Sequence, residues 1–231
     1  MILGLGPAEV EAVVISLKVA TVGTVAALPF GILAAYALAR WRFPGKTLLD
    51  GLVHLPLVLP PVVTGYLLLL AFGRRGPIGA LLDQCCGIVF SFRWTGAAIA
   101  AAVMGFPLMV RTIRLSIEAV DRRLEQASAT LGAGRVATFL VVTLPLALPG
   151  ILAGTVLAYA KAFGEFGATI TFVGNIPGET QTLPLALYTF LETPGGDAAA
   201  LRLVVLALAL SLVALLASEL LNRRLVARLT G

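Results

Sequence analysis

Lys161 and Glu165 stand four residues apart at the end of a stretch, 136–160, that holds no charge. On a helix that spacing puts both side chains on one face, and ionisable groups inside an apolar helix face protein or water rather than lipid. Two chemistries fit the pair. It neutralises itself and ties helices together, or Lys161 faces an aqueous path and lowers the barrier for an anion. In the second case the hydroxyls of Thr169 and Thr171 would donate beyond it. A path of that kind needs donors that do not hold the ion tightly, because transport requires release.

Catalytic arrangements are poorly represented. Gly45-Lys46-Thr47 ends like a nucleotide-binding P-loop, but the glycine such a loop needs five residues earlier is replaced by Arg40. A single histidine, His54, forecloses most acid–base schemes, and it reads as a packed or interfacial residue. Cys85 and Cys86 are adjacent, a spacing that forms a disulfide only with strain, and two thiols with one histidine do not make a metal cluster. The sequence therefore predicts no catalytic residue, no metal ligand and no cofactor in this chain. Energy for any active process has to come from another subunit.

The elements that carry these residues are membrane helices. Of 231 residues, 59% are hydrophobic and 13% charged, where a soluble domain carries about 25% charged, and the mean hydropathy is +0.99. A water-soluble globule is excluded, and little is left for an extramembrane domain. In this setting 24 glycines and 13 prolines read as bent, closely packed helices rather than disorder. Charge-free stretches lie at 19–39, 51–73, 94–110, 136–160 and 203–218, and about 20 apolar residues cross a bilayer. The expectation is an all-α polytopic membrane protein, one domain over 1–231, with spans near 12–39, 50–72, 94–114, 145–168 and 200–221. An apolar patch at Leu183–Leu191 is interrupted or flanked by Pro177, Gly178, Pro184, Glu192 and Pro194. It reads as a surface or re-entrant segment, a sixth span being the alternative. In span two Pro56, Pro60 and Pro61 each remove a backbone donor. Such breaks suit a pathway-lining or moving helix or, equally simply, a static kink, and Pro60 and Pro61 are the candidates for a gate. Gly150 and Gly154 form a GxxxG pair that allows close helix packing.

Positive charge gives the orientation, because short loops rich in Lys and Arg stay in the cytoplasm. Arg40, Arg42, Lys46, Arg111, Arg114, Arg122, Arg123, Arg135, Arg223, Arg224 and Arg228 fall on one set of segments. The other set holds only Arg74, Arg75, Arg93 and the borderline Arg202, together with Glu9, Glu11, Asp83, Glu179, Glu192 and Asp197. The N-terminus is thus expected outside and the C-terminus inside. The first span lacks a positive n-region and a small-residue cleavage site, so it is expected to remain as an anchor.

Between spans three and four, apolar residues fall at Ile117, Val120, Leu124, Ala127 and Leu131, with Glu118, Asp121, Arg122, Arg123 and Glu125 on the other face. This spacing predicts an amphipathic helix outside the membrane. It should stop at Gly132-Ala133-Gly134, where glycine allows a left-handed turn. A second helix is expected from Arg135 to Leu144-Pro145, making 117–144 a cytoplasmic loop with joints at Gly132 and Pro145. From the pattern alone it either lies on anionic lipid or docks a cytoplasmic partner.

Gln126-Ala127-Ser128, three residues, Gly132, nine residues and Val142-Thr143-Leu144-Pro145 resemble the EAA loop of ABC importer permeases. Gln126 stands where that pattern has Glu, and Glu125 supplies a carboxylate one position earlier. The resemblance extends over most of the chain. His54-Leu55-Pro56-Leu57-Val58-Leu59-Pro60-Pro61-Val62-Val63, Gly164-Glu165-Phe166-Gly167-Ala168-Thr169-Ile170-Thr171-Phe172-Val173, Asn175-Ile176-Pro177-Gly178-Glu179-Thr180 and Thr193-Pro194-Gly195-Gly196 are similar to molybdate permeases. The Gly164–Ala168 stretch is shared with sulfate and thiosulfate permeases.

The resemblance implies a type I ABC importer permease fold and a transport subunit, not an enzyme, of an ATP-driven molybdate importer that also passes tungstate. It implies a homodimer with the pathway on its two-fold axis, in a bacterial inner membrane. Two cytoplasmic ABC ATPases carrying the ATP and Mg would dock on the loop, and an extracytoplasmic molybdate-binding protein on the outer face, with no nucleic-acid partner. The coupling residues would be Glu125, Gln126, Ala127, Gly132, Leu144 and Pro145, and the candidate pathway or gate Pro60, Pro61, Lys161, Glu165, Thr169 and Thr171. The rivals are a sulfate or thiosulfate permease of the same build and a secondary transporter without an ATPase.

Overall fold

The computed structural model describes residues 6–230, and among these the regular structure is helical throughout. Helix α1, Pro7–Arg40, runs unbroken for 34 residues. Its N-terminus starts at Gly6, whose backbone N–H is accepted by the Glu9 carboxylate, and Glu9 also takes a 2.9 Å bond from Arg202. Next come α2 (Lys46–Val58) and α3 (Pro61–Phe72). Their axes turn by 117° across two residues, so the second expected span is a bent pair rather than one rod. The cause is local: a residue before proline is driven out of helical geometry, and Leu59 (ψ 141°) and Pro60 (ψ 135°) are both extended. Pro61 then sits at the first position of α3, where a missing N–H costs nothing.

Helix α4, Pro77–Cys86, follows in a region where sequence pattern suggested no element. Then α5, Trp94–Ala119, forms the centre. In its most apolar stretch 61% is buried, against 11% for Asp197–Ala214 of the last helix, α11 (Asp197–Thr230). Small residues let neighbouring helices approach α5 closely. Gly23 of α1 meets the Ala98 carbonyl, where an added Cβ would lie 2.6 Å from the oxygen. Further along, Gly150 and Gly154 of α8 (Leu144–Phe163) lie against Ser116 and against Met109 and Ile113. The GxxxG pair is thus a contact within the chain. Two apolar clusters follow, one around Val19, Leu68, Ala97, Met104 and Phe172, the other around Leu38, Val53, Met109, Ile113, Ile117 and Ile151.

The loop between spans three and four differs from expectation at both ends. Ile117 belongs to α5 and is fully buried, and the outer helix α6 runs only Arg122–Thr130. Val120 (ψ 125°) breaks the chain, and Asp121 caps the new helix by accepting from Arg123 N at 2.9 Å. Nor is Pro145 a joint. Helix α7 (Arg135–Thr138) passes through a π turn, Phe139–Thr143, directly into α8, so one apolar helix extends from Arg135 to Phe163. Leu144 N bonds back to Phe139 O, and this wider register absorbs the donor that Pro145 lacks. The chain then breaks at Gly164-Glu165-Phe166, inside the expected span 145–168, before α9 (Gly167–Val173). Helix α10, Leu183–Glu192, is ten residues and about 15 Å long, half the length a span needs. Among the described residues four helices are long and apolar enough to cross a membrane, five with the bent pair counted as one.

Candidate functional site

Helix α6 is held off the bundle by a node of polar contacts. Glu125 turns inward: its Oε1 accepts from Arg40 Nε at 3.1 Å and from Thr143 Oγ1 at 2.7 Å. Arg40 also donates from Nη2 to the Val120 carbonyl at 2.9 Å, where α5 ends. One guanidinium thus joins the end of α1, the α5–α6 break and, through Glu125, the π turn that opens the next span. The Arg40 side chain is 8% exposed and that of Glu125 18%, so these charge-assisted bonds are only weakly screened and contribute about 2 kcal/mol each. Ser128 Oγ and Thr138 Oγ1 add a 3.2 Å contact from α6 to α7.

The opposite face of α6 is apolar and open. Leu124 is 48% and Leu131 89% exposed, and Ala127 is exposed with them. Gly132 ends the helix at φ +88°, with Gly132 N bonded to Ala129 O and Ala133 N to Ser128 O. This is a Schellman closure that needs the left-handed conformation. Of the residues expected to couple, Ala127 and Gly132 lie on or beside this open face, Gln126 lines the cleft between α6 and the end of α1, and Glu125 is engaged within the chain. Leu144 and Pro145 are in the first turn of α8, Leu144 packed on the cluster around Leu38 and Ile113. Arg40 and Thr143 were missed as members of the site. Arg40 closes a charge-free stretch and Thr143 fills the variable position before Leu144-Pro145, but nothing local says that they meet.

A second node ties α2 to α5. Arg114 Nη1 lies 3.1 Å from both Asp50 oxygens and Arg114 Nε 2.8 Å from Glu118. His54 Nδ1 sits 2.9 Å from the Asp50 carbonyl, within its own helix. These groups are 27–40% exposed, and each contact contributes about 1 kcal/mol or less.

The two helix breaks meet. A Cβ on Gly167, just after the α8–α9 break, would lie 2.8 Å from Pro61, and one on Gly65 would lie 2.5 Å from the Ala168 carbonyl. Pro61, Glu165 and the start of α9 therefore form one locus, with Pro60 exposed at its edge. Lys161 Nζ bonds Glu165 Oε2 at 2.7 Å, and Glu165 Oε1 accepts from Ala168 N at 3.0 Å. The Glu165 side chain is 2% exposed and that of Lys161 33%, so the ammonium keeps one side open. The hydroxyls are less available than their types suggest. Thr171 donates to the Gly167 carbonyl at 2.8 Å, and Thr169 is 1% exposed. Thr64 of α3 is buried beside this locus with its hydroxyl unpartnered, a residue the pattern gave no reason to select.

At the other end Ser16 Oγ accepts from Leu183 N at 2.6 Å, and the 174–182 loop is closed by Thr180, Asn175, Gln181 and Thr189. No group of three or more potential metal ligands occurs among the described residues. Cys85 and Cys86 are free and exposed.

A family model described as "Binding-protein-dependent transport system inner membrane component" matches residues 27–227. The chain is 60% identical over 215 residues to the molybdenum transport system permease protein ModB of Escherichia coli K12, covering 93% of this chain and 94% of that one. It is 37% identical over 225 residues to the sulfate transport system permease protein CysT of Salmonella typhimurium, covering 97% and 80%. Among solved structures, a bacterial alginate ABC transporter in complex with an alginate-bound periplasmic protein superposes with a TM-score of 0.70 at 16% identity, over 98% of this chain and 81% of that one.

Proposed function

The chain belongs to the family of binding-protein-dependent transport system inner membrane components, and from that premise we propose that it is the membrane-spanning permease subunit of an ATP-driven molybdate importer. The observation that carries the ATP-driven part is α6: a nine-residue helix outside the bundle that exposes Leu124 and Leu131 while Glu125 anchors it to two membrane helices. A rigid helix with an open apolar face is what a moving cytoplasmic subunit can grip. The substrate reading rests on the 60% identity to a molybdenum permease against 37% to a sulfate permease. Tungstate, of nearly the same size and charge, passes the same path.

Two cytoplasmic ATPases, which bind the ATP and Mg, dock on the α6 helices of a homodimer. An extracytoplasmic binding protein delivers the oxyanion to the outer face, as a periplasmic protein is seen to be bound in the alginate transporter complex. The N-terminus lies outside and the C-terminus inside. In support, Arg40, Arg42, Arg122 and Arg135 line one cleft and Arg111 and Arg114 another, so positive charge gathers at the end that carries α6. The meeting breaks at Pro61 and Gly167 make the gate, and Lys161 presents positive charge beside it. When the ATPases close, α6 moves with α1 and the π turn, and the breaks let α3 and α9 reorient against α5, on which they pack through Leu68 and Phe172.

The test is uptake of radiolabelled molybdate into proteoliposomes holding this chain, its ATPase and its binding protein, with sulfate as competitor and Gly132→Trp as control. At Gly132 nothing lies within 4 Å of an added Cβ, so at that atom the cost of the substitution is the strain of the left-handed turn, about 1–2 kcal/mol. The expected outcome is ATP-dependent uptake, indifferent to sulfate and lost in the variant. Suppression by excess sulfate would move the substrate to sulfate-type oxyanions, a reading that the shared Gly164–Ala168 stretch favours. Uptake without ATP would identify a secondary transporter.

A further inference from the structure

A cleft of about 1000 Å3 opens at the α6 end, between the end of α1, the start of α2 and the inward side of α6. Arg40, Arg42, Arg122 and Arg135 line it against a single carboxylate, Glu125, which is already bonded to Arg40. Arg42, Arg122 and Arg135 are exposed, and none of them makes an ion pair or a side-chain hydrogen bond among the described residues. The floor is apolar and aromatic. Tyr36, Trp41, Phe43 and Leu49 lie there, with the Tyr36 ring edge-on to Trp41 and Phe139.

The depth of the cleft follows from the lengths of the two spans that flank it. The charge-free stretch 19–39 ends at Arg40, and the charge-free stretch 136–160 begins just after Arg135. Each is about one hydrocarbon thickness long, so Arg40 and Arg135 mark the level of the lipid headgroups on the same side, and both line the cleft. On the bilayer side of it the surface stays apolar: Leu33 lies one helical turn before Ala37 and is 57% exposed, while Leu140 is 52% and Val141 74% exposed. A ligand with an anionic head and long apolar tails matches that order of surfaces. Guanidinium groups hold phosphate oxygens in paired bonds, and basic pockets between membrane helices on the cytoplasmic side are sites for anionic headgroups.

We propose that this cleft binds one anionic phospholipid, its phosphodiester held by Arg42, Arg122 and Arg135 and its acyl chains lying along Leu33 and Leu140. The inference rests on the reading that the α6 end faces the cytoplasm. Arg122 belongs to α6, whereas Arg42 and Arg135 belong to the ends of membrane spans, so the lipid joins the docking helix to the bilayer surface. Movement of α6 then depends on lipid charge.

The chain alone, without ATPase, is reconstituted with phosphatidylglycerol or with phosphatidylcholine, exchanged into detergent, and the retained phospholipid counted by native mass spectrometry. The expected result is one phosphatidylglycerol per chain and no retained phosphatidylcholine. Retention falls roughly tenfold or more in Arg42→Gln/Arg122→Gln/Arg135→Gln, since each basic residue near an anionic surface contributes about 1 kcal/mol. If that variant does not fold, the preference between the two lipids in the wild type carries the test, and Arg42→Lys/Arg122→Lys/Arg135→Lys, which keeps the charge, should retain an intermediate amount. Equal retention of both lipids overturns the proposal. So does displacement by millimolar inorganic phosphate, which would make this a small-anion site, or displacement on adding the ATPase, which would make it a protein contact. ATP-driven uptake is not read in this experiment, so a chain that binds the lipid and fails to import would count against the transport reading alone.

Discussion

Glu125 and Gln126 are neighbours with different surroundings. Glu125 is bonded to Arg40 and Thr143, whereas Gln126 is exposed, lines the open cleft beside it and makes no side-chain hydrogen bond among the described residues. Glu125→Ala leaves Arg40, 8% exposed, without its counter-ion, which costs about 3 kcal/mol and should lower the unfolding midpoint of the purified chain in detergent. Gln126→Ala should leave that midpoint within the range of surface substitutions, about 0.5 kcal/mol, and instead reduce ATP-driven uptake. If Gln126→Ala destabilised the chain as much as Glu125→Ala, the assignment of Glu125 as bonded and Gln126 as unbonded would be wrong. Sequence could place a carboxylate in the loop around α6 but could not orient it, because its partner is 85 residues away. The Lys161–Glu165 spacing was different: the two ends of that contact are four residues apart in sequence, so the ion pair could be read, though not the break after Phe163 that holds Glu165 or the Ala168 N–H that fixes its second oxygen.

Helix breaks were legible where the cause is local and illegible where it is not. Pro60-Pro61 announces a break from any reading of the chain, but the 117° turn depends on what α3 packs against, and that is α9. The expected joint at Pro145 failed because a π turn one turn earlier shifts the hydrogen-bond register and carries the helix through. The amphipathic pattern from Ile117 ran past a real break, since Ile117 and Val120 are apolar for the core and Leu124 and Leu131 for another surface. The closeness of α3 and α9 yields a prediction. A Gly65→Leu side chain would have to start 2.5 Å from the Ala168 carbonyl, which forces α3 away at a cost of about 2 kcal/mol or more. Uptake should fall steeply while the ATPase still binds in pull-down, because α6 lies at the far end of the molecule. Retained uptake in Gly65→Leu would show that the contact is not part of the moving path.

For the whole molecule, charge and hydropathy were enough to give an all-helical membrane protein, with four helices among the described residues long and apolar enough to cross, or five if the bent pair is one span. They were not enough to give the α1, α5 and α8 core, which is built from small residues, Gly23, Ala98, Gly105, Gly150 and Gly154, that carry almost no pattern. Orientation can be tested with the native thiols. Cys85 and Cys86 are exposed on α4, at the end opposite α6. A membrane-impermeant maleimide added to intact cells should label the wild type and fail to label Cys85→Ser/Cys86→Ser. Labelling only after the cells are opened would invert the topology.

The Arg40 node has a mechanical consequence. Two struts meet at α6, one through Arg40 to α1 and one through Glu125 and Thr143 to the start of α8. Members arranged in parallel share a load, and cutting one shortens the stroke rather than stopping the machine. Thr143→Val should therefore leave a transporter that still runs but slips, hydrolysing more ATP for every ion it delivers.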